Sequence, residues 1–200
     1  LLGLRTGDRF RVAGPFGRFV FRPSAPDRAA CFIATGTGIA PVRSILFSAA
    51  FARNRPAKVT VLFGARDEQG LVLSSDLRAA GANVIPALSE PGQGFHGFQG
   101  RVTDYLQQQA RTGWLWHATD FYVCGHGGMV SDVTRLLRDG HGVPESAIAR
   151  ESFGSPQPEA GGARVLAWRP GPVTVGTPVS EPAANSILHA VRRLVLNKAR

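Results

Sequence analysis

Two glycine-rich stretches hold the residues that could do chemistry. One is Thr35-Gly36-Thr37-Gly38-Ile39-Ala40-Pro41, and the other is Cys124-Gly125-His126-Gly127-Gly128-Met129. A Gly-x-Gly turn between a buried strand and a helix lets backbone approach a pyrophosphate. The helix N-terminus then offers the anion unpaired N–H groups and a positive dipole end. Gly36 and Gly38 can take the angles such a turn needs, and neither would put a Cβ in the ligand's way. Pro41 stands where the common fingerprint has a third glycine, and proline in a first helical turn is unstrained. Many strand–helix turns use Gly-x-Gly with no ligand, but this one follows the first parallel strand, which favours a dinucleotide. The second stretch places Cys124 at a strand end facing the same crevice. It reads either as a small, inert, buried thiol or as a small residue beside a reacting nicotinamide ring. Met129 reads as core filling and His126 as exposed in a turn. A third group is Arg66, Asp67 and Glu68. An acidic residue after the second strand suits a free ribose hydroxyl and an arginine suits an added phosphate; both are present here.

These residues need strands and helices to position them. Residues 9–13 and 18–22 alternate charged and apolar around Gly14-Pro15-Phe16-Gly17, the pattern of strand, turn and strand with one buried face. Residues 23–28 are polar and Pro-rich and read as a linker. Residues 29–34 are a continuous apolar run, as expected of a parallel strand covered on both faces. A helix is predicted from about Pro41 to Ala52, and a second buried strand over 58–64. Ser74 or Ser75 can cap a helix running to Ala80, with Gly81 as its stop. Residues 83–88 read as a third strand, where Pro86 suggests an edge. A loop over 89–100, a helix over 103–110, a strand over 120–125 and a helix over 128–137 complete the pattern. Such alternation predicts an α/β fold with a doubly wound parallel sheet and ligands at the carboxyl ends of its strands. After Phe153 the composition changes. Residues 155–163 read as a linker. In 164–200, two short strand patterns precede an amphipathic helical pattern over 186–196.

The chain has 200 residues, 44% hydrophobic and 18% charged, which is enough for a core and excludes compositional disorder. Two cysteines exclude a disulfide framework and a four-cysteine cluster within the chain. The net charge of +9 invites a nucleic-acid reading, but its distribution argues against one. Residues 1–55 carry +7, residues 56–154 carry −2 and residues 155–200 carry +4, with 21 Arg and 2 Lys mostly scattered singly. No apolar run reaches the ~18 residues of a membrane span, and no charged-then-apolar leader pattern opens the chain. The expectation is a cytoplasmic protein without membrane or nucleic-acid partners. The first residue is Leu and the sole Met is Met129, so the chain reads as a piece of a longer protein.

The segments ATGTGIAPVRSIL, VTVLFGARDEQGLV, FQGRVTDYL, FYVCGHGGM and ESF occur in the order seen in ferredoxin–NADP reductase-like proteins. The opening GDRFRVAGPFGRFVF is similar to the last strands of that family's flavin-binding barrel. The resemblance covers roughly residues 7–154. It implies that Gly36, Thr37 and Gly38 hold the NAD(P)H pyrophosphate, with Thr35 and Pro41 flanking them. It implies that Arg66 and Asp67 lie near the adenosine ribose. Cys124, Gly125 and Met129 would lie at the nicotinamide, with Glu151 and Phe153 close to the flavin ring. Cys124 and Glu151 are the catalytic candidates. The implied domains are the end of a flavin barrel (1–25), an NAD(P)H-binding domain (26–154), a linker (155–163) and a partial unit (164–200) that resembles the start of a plant-type ferredoxin. This order is that of phthalate dioxygenase reductase-type proteins. The family's Arg-x-Tyr-Ser and Gly-x-x-Ser flavin segments cannot be placed on this chain. The expected activity is hydride transfer from NAD(P)H to FAD or FMN in the parent protein, then single-electron transfer to an iron–sulfur centre. A [2Fe-2S] cluster would take its ligands from beyond residue 200, and the electron acceptor would be a ferredoxin or an oxygenase. NADH is favoured on Asp67 and on the likeness to dioxygenase reductases. The rival reading is a nucleotide-binding regulatory module without turnover.

Overall fold

In the computed structural model, which describes residues 17–110, 112 and 114–153, the apolar run after Arg28 is the centre of the sheet. It forms β1 (Ala29–Thr35). The chain continues through α1 (Ile39–Leu46), α2 (Ala49–Arg53), β2 (Lys58–Ala65), α3 (Ser74–Ala79), β3 (Asn83–Leu88) and β4 (Phe98–Gln99). It then returns through α4 (Val102–Gln109), β5 (Thr119–His126), α5 (Gly127–Arg135) and β6 (Ile148–Phe153). The six strands run parallel in the order β4-β3-β2-β1-β5-β6. Chain order therefore reverses between β1 and β5, and that reversal opens a crevice at the carboxyl edge.

Period-two alternation sorts β1 between two helical layers. Ala30, Phe32 and Ala34 pack with Ile39, Val42, Phe51 and Leu77 of α1–α3, while Cys31 and Ile33 pack with Val102, Leu106, Val130 and Val133 of α4 and α5. Both faces are covered, so the strands need continuous apolar runs. Truncating a side chain as deeply buried as Phe51 would cost roughly 3–5 kcal/mol. At the amino edge, Arg28 binds both carboxylate oxygens of Asp120 and donates to the carbonyls of His117 and Thr119. This pins the predicted linker to β5.

Several expectations are corrected. Residues 18–22 form no strand. Phe19 and Phe21 pack on the α1–α3 core, and the Tyr122 hydroxyl accepts from Arg22 N–H and donates to Arg22 C=O, both at 3.1 Å. The backbone of Arg22 is thus satisfied by a side chain rather than by a ladder. The predicted 41–52 helix begins earlier and is broken. Ser48 Oγ accepts from Phe51 N–H at 3.1 Å and caps a second helix, and a good cap competes with continuation. Neither Ser74 nor Ser75 caps α3. Leu73 takes that place in the left-handed region at φ 62°, and Ser74 Oγ donates to Leu71 C=O. Gly81 does stop α3, at φ 75° with its N–H on Arg78 C=O. Pro86 is only half an edge residue, because the two-residue β4 covers Ala87 and Leu88 and leaves the rest of β3 unpaired on that side. The α5 helix runs on into a π turn over Leu136–Gly140, and β6 has no counterpart among the predicted strands. The predicted strand 9–13, the linker 155–163 and the unit 164–200 lie outside the described residues. No helix among the described residues is long and apolar enough to cross a membrane.

Candidate functional site

The turns that leave β1 and β5 meet at the reversal point. After β1 the chain enters a 3₁₀ turn, Gly36–Gly38, that leads directly into α1. Gly36 has φ 53° and is exposed, and a Cβ built on it would meet nothing. This is the open cradle that an approaching anion needs. No side chain caps the 3₁₀ turn or α1, and neither has an acidic residue in its first turn. Their first N–H groups and dipole end are thus left for a ligand. Thr37 is exposed beside Gly36, and Pro41 is half-buried in the first turn of α1. The Thr35 hydroxyl is buried and has no hydrogen-bond partner among the described residues.

Gly38 differs from its expected role. It is buried in ordinary right-handed helical backbone, and a Cβ there would strike the carbonyl of Cys124. Its missing side chain lets α1 dock on β5; it does not clear a path for the ligand. Gly125 is the reciprocal case, with φ 148° and its Cα face against Thr35 and the Met129 methyl. Met129 is half-buried against the α4–α5 core, so it fills that core and also borders Gly125.

Cys124 does not face open space either. It is fully buried, and its thiol is pushed up to about 12 by burial and then by the Glu151 carboxylate, its register partner on β6. It is a neutral thiol at any physiological pH, which excludes a thiolate nucleophile. Glu151 is half-buried, and its Oε1 lies where a side chain on Gly17 would go. Phe153 ends β6 opposite His126 and keeps 40% of its surface exposed. His126 is exposed at the end of β5, as expected, and its Nδ1 accepts from Gly128 N–H at 3.2 Å, capping α5.

Arg66 and Asp67 stand one strand away, at the end of β2. Asp67 Oδ1 accepts from Gly70 N–H at 3.2 Å, which fixes the carboxylate and leaves Oδ2 for a ligand. Arg66 is taken. Its Nε meets Glu90 Oε2 at 2.8 Å, and the pair holds the guanidinium pKa above its ordinary value, first by that hydrogen bond. Glu68 accepts from Gly92 N–H with both oxygens. The sequence reading missed Glu90. The signal was there, because an in-register parallel β2–β3 pair (Ala65 against Leu88) brings the residues just past both ends together. Among the described residues no cluster of His, Cys, Asp and Glu could hold a metal ion.

Residues 32–135 match the oxidoreductase NAD-binding domain family. The chain is 33% identical to ferredoxin–NADP reductase B of Sorangium cellulosum over 75% of its own length and 64% of the relative's. It is 28% identical to a component of the Na(+)-translocating NADH-quinone reductase of Pasteurella multocida, over 76% of its own length and 38% of that protein's. Among solved structures it is similar to an Amycolatopsis cytochrome P450 reductase, with 25% identity and a TM-score of 0.64, covering 76% of this chain and 46% of the other. The chain thus spans less than two thirds of each of these relatives.

Proposed function

Because the chain belongs to the oxidoreductase NAD-binding domain family, we propose that residues 26–154 bind NADH or NADPH across the β1–β5 reversal and serve a ferredoxin reductase-type flavin oxidoreductase. The observation that carries this is the turn after β1, with an uncapped helix N-terminus and an open Gly36 in one place. A diphosphate suits both, because it accepts from backbone N–H groups and needs close backbone approach. The pyrophosphate is assigned to Gly36 and Thr37, with Gly38 setting the position of α1. The ribose is assigned to Asp67, which favours NADH. The nicotinamide is assigned to the ends of β5 and β6, where Glu151 and Phe153 present surface and Cys124 stands behind them as a neutral thiol.

Glu151 and Phe153 would form one wall of a flavin site. FAD or FMN bound there would accept hydride and release electrons singly to a ferredoxin or oxygenase acceptor. This domain contributes docking and alignment. Residues 1–25 are assigned to the end of a flavin barrel, 155–163 to a linker and 164–200 to a partial ferredoxin-like unit. A cytoplasmic site of action is part of the same proposal. The test is to titrate the full chain with NADH and with NADPH, following nucleotide fluorescence, and to compete with inorganic pyrophosphate. Saturable binding that pyrophosphate displaces is expected. No saturable binding of either nucleotide, or binding indifferent to pyrophosphate, overturns the proposal.

A further inference from the structure

Four charged side chains gather where β2 and β3 end: Arg66, Asp67, Glu68 and Glu90. Arg66 and Glu90 are exposed over 75% and 63% of their side chains, so the ion pair alone contributes little. Their proximity has a second cause. Glu90 N–H donates to Arg66 C=O at 2.7 Å, and Ser89 N–H donates to Ala65 C=O at 3.2 Å. The backbone therefore keeps the Glu90 carboxylate beside Arg66 even when the side-chain contact opens.

We propose that Glu90 is a specificity-determining residue that selects NADH against NADPH by occupying Arg66 and by adding negative charge where a 2′-phosphate would lie. This rests on the reading above that the adenosine ribose lies at the end of β2. A ribose hydroxyl is neutral and can donate to Asp67 Oδ2, the oxygen that the Gly70 contact leaves over. A 2′-phosphate carries about −1.5 to −2 charges and needs a cation. Arg66 is the one cation of the four, and the phosphate would have to displace Glu90 from it while facing Asp67.

The test measures NADPH and NADH affinities of the full chain, the Glu90→Gln variant and the Glu90→Gln/Arg66→Ala double variant. Wild type is expected to bind NADH the more tightly. Glu90→Gln is expected to raise the NADPH-to-NADH affinity ratio about tenfold, the scale for removing one charge near a dianion at the surface. That gain should shrink in high salt and vanish in the double variant. Circular dichroism of each variant verifies that the fold is retained. An unchanged ratio in Glu90→Gln, or a gain undiminished by loss of Arg66, overturns the role of Glu90 while leaving the nucleotide site standing. Binding of neither nucleotide by wild type overturns both.

Discussion

The two glycine-rich turns at the reversal point are built from the same residue type and end in opposite states. The turn after β1 is open, with Gly36 exposed at φ 53° and nothing near its Cα face, and no side chain caps α1. The turn after β5 is closed, with Gly125 packed on Thr35 and the N-terminus of α5 capped by His126. Unpaired N–H groups and dipole attract an anion only where the protein has not already satisfied them. Glycine content alone would make these turns equal candidates. The caps and the close contacts leave the first turn open to the proposed anion and give the second a packing role.

If that contrast holds, glycine substitutions in the two turns should fail differently. Gly125→Ala should cost most. It forces a side chain into backbone at φ 148° and a methyl into Thr35, and strain plus overpacking together come to roughly 3 kcal/mol or more. A fall in Tm of about 10 °C is expected by differential scanning calorimetry, and a wild-type Tm would show that the second turn is not closed. Gly36→Asp should instead leave the fold nearly intact, because Asp tolerates the left-handed region for about 1 kcal/mol. Its carboxylate would face the diphosphate and weaken NADH binding by at least about 30-fold. Retained affinity would move the anion away from this turn. His126→Ala should be milder still, at about 0.5–1 kcal/mol for a lost cap. It would appear as faster amide exchange in the first turn of α5, with α1 unaffected.

Legibility followed the range of the interactions. β1, β2 and β3 could be read because burial on both faces demands uninterrupted apolar residues, and their bounds came within a residue of the structure. β6 could not, because Ile148–Phe153 carries Arg150 and Glu151 and its pairing partner is 27 residues back in register, at Phe121 for Ile148. The alternation in 18–22 was real, but it served packing on Tyr122 and Phe51 in place of pairing. The candidate site showed the same division. Gly36 was legible as a cradle from its local turn. The packing role of Gly38 depends on the close approach of the Gly36–Gly38 turn to Cys124 at the end of β5, and the capture of Arg66 by Glu90 depends on the β2–β3 register.

The smallest effect bears on the far end of α5. If this helix is closed at its start by one histidine, a second closes the turn that follows it. His141 stacks on Trp116 with ring centroids 3.8 Å apart and planes 1° from parallel, and its Nε2 is buried without a partner among the described residues. Burial lowers its pKa below the ordinary 6.5, so the folded state favours the neutral ring. The sign follows from proton counts. As pH falls through about 6.5 the unfolded chain binds a proton that the native chain still refuses, so stability drops with pH and the loss is complete below the native pKa. Above about pH 7.5 the contribution is full and flat. His141→Phe keeps an aromatic ring on Trp116 and removes this titration. Urea midpoints of wild type and variant, compared between about pH 7.5 and 5.5, should diverge on acidification, with wild type losing stability relative to the variant. Working above pH 5.5 keeps the carboxylates, whose own acid losses lie lower, out of the difference. Parallel curves would mean that the His141 ring is solvated, and that α5 is closed only at the end that faces the crevice.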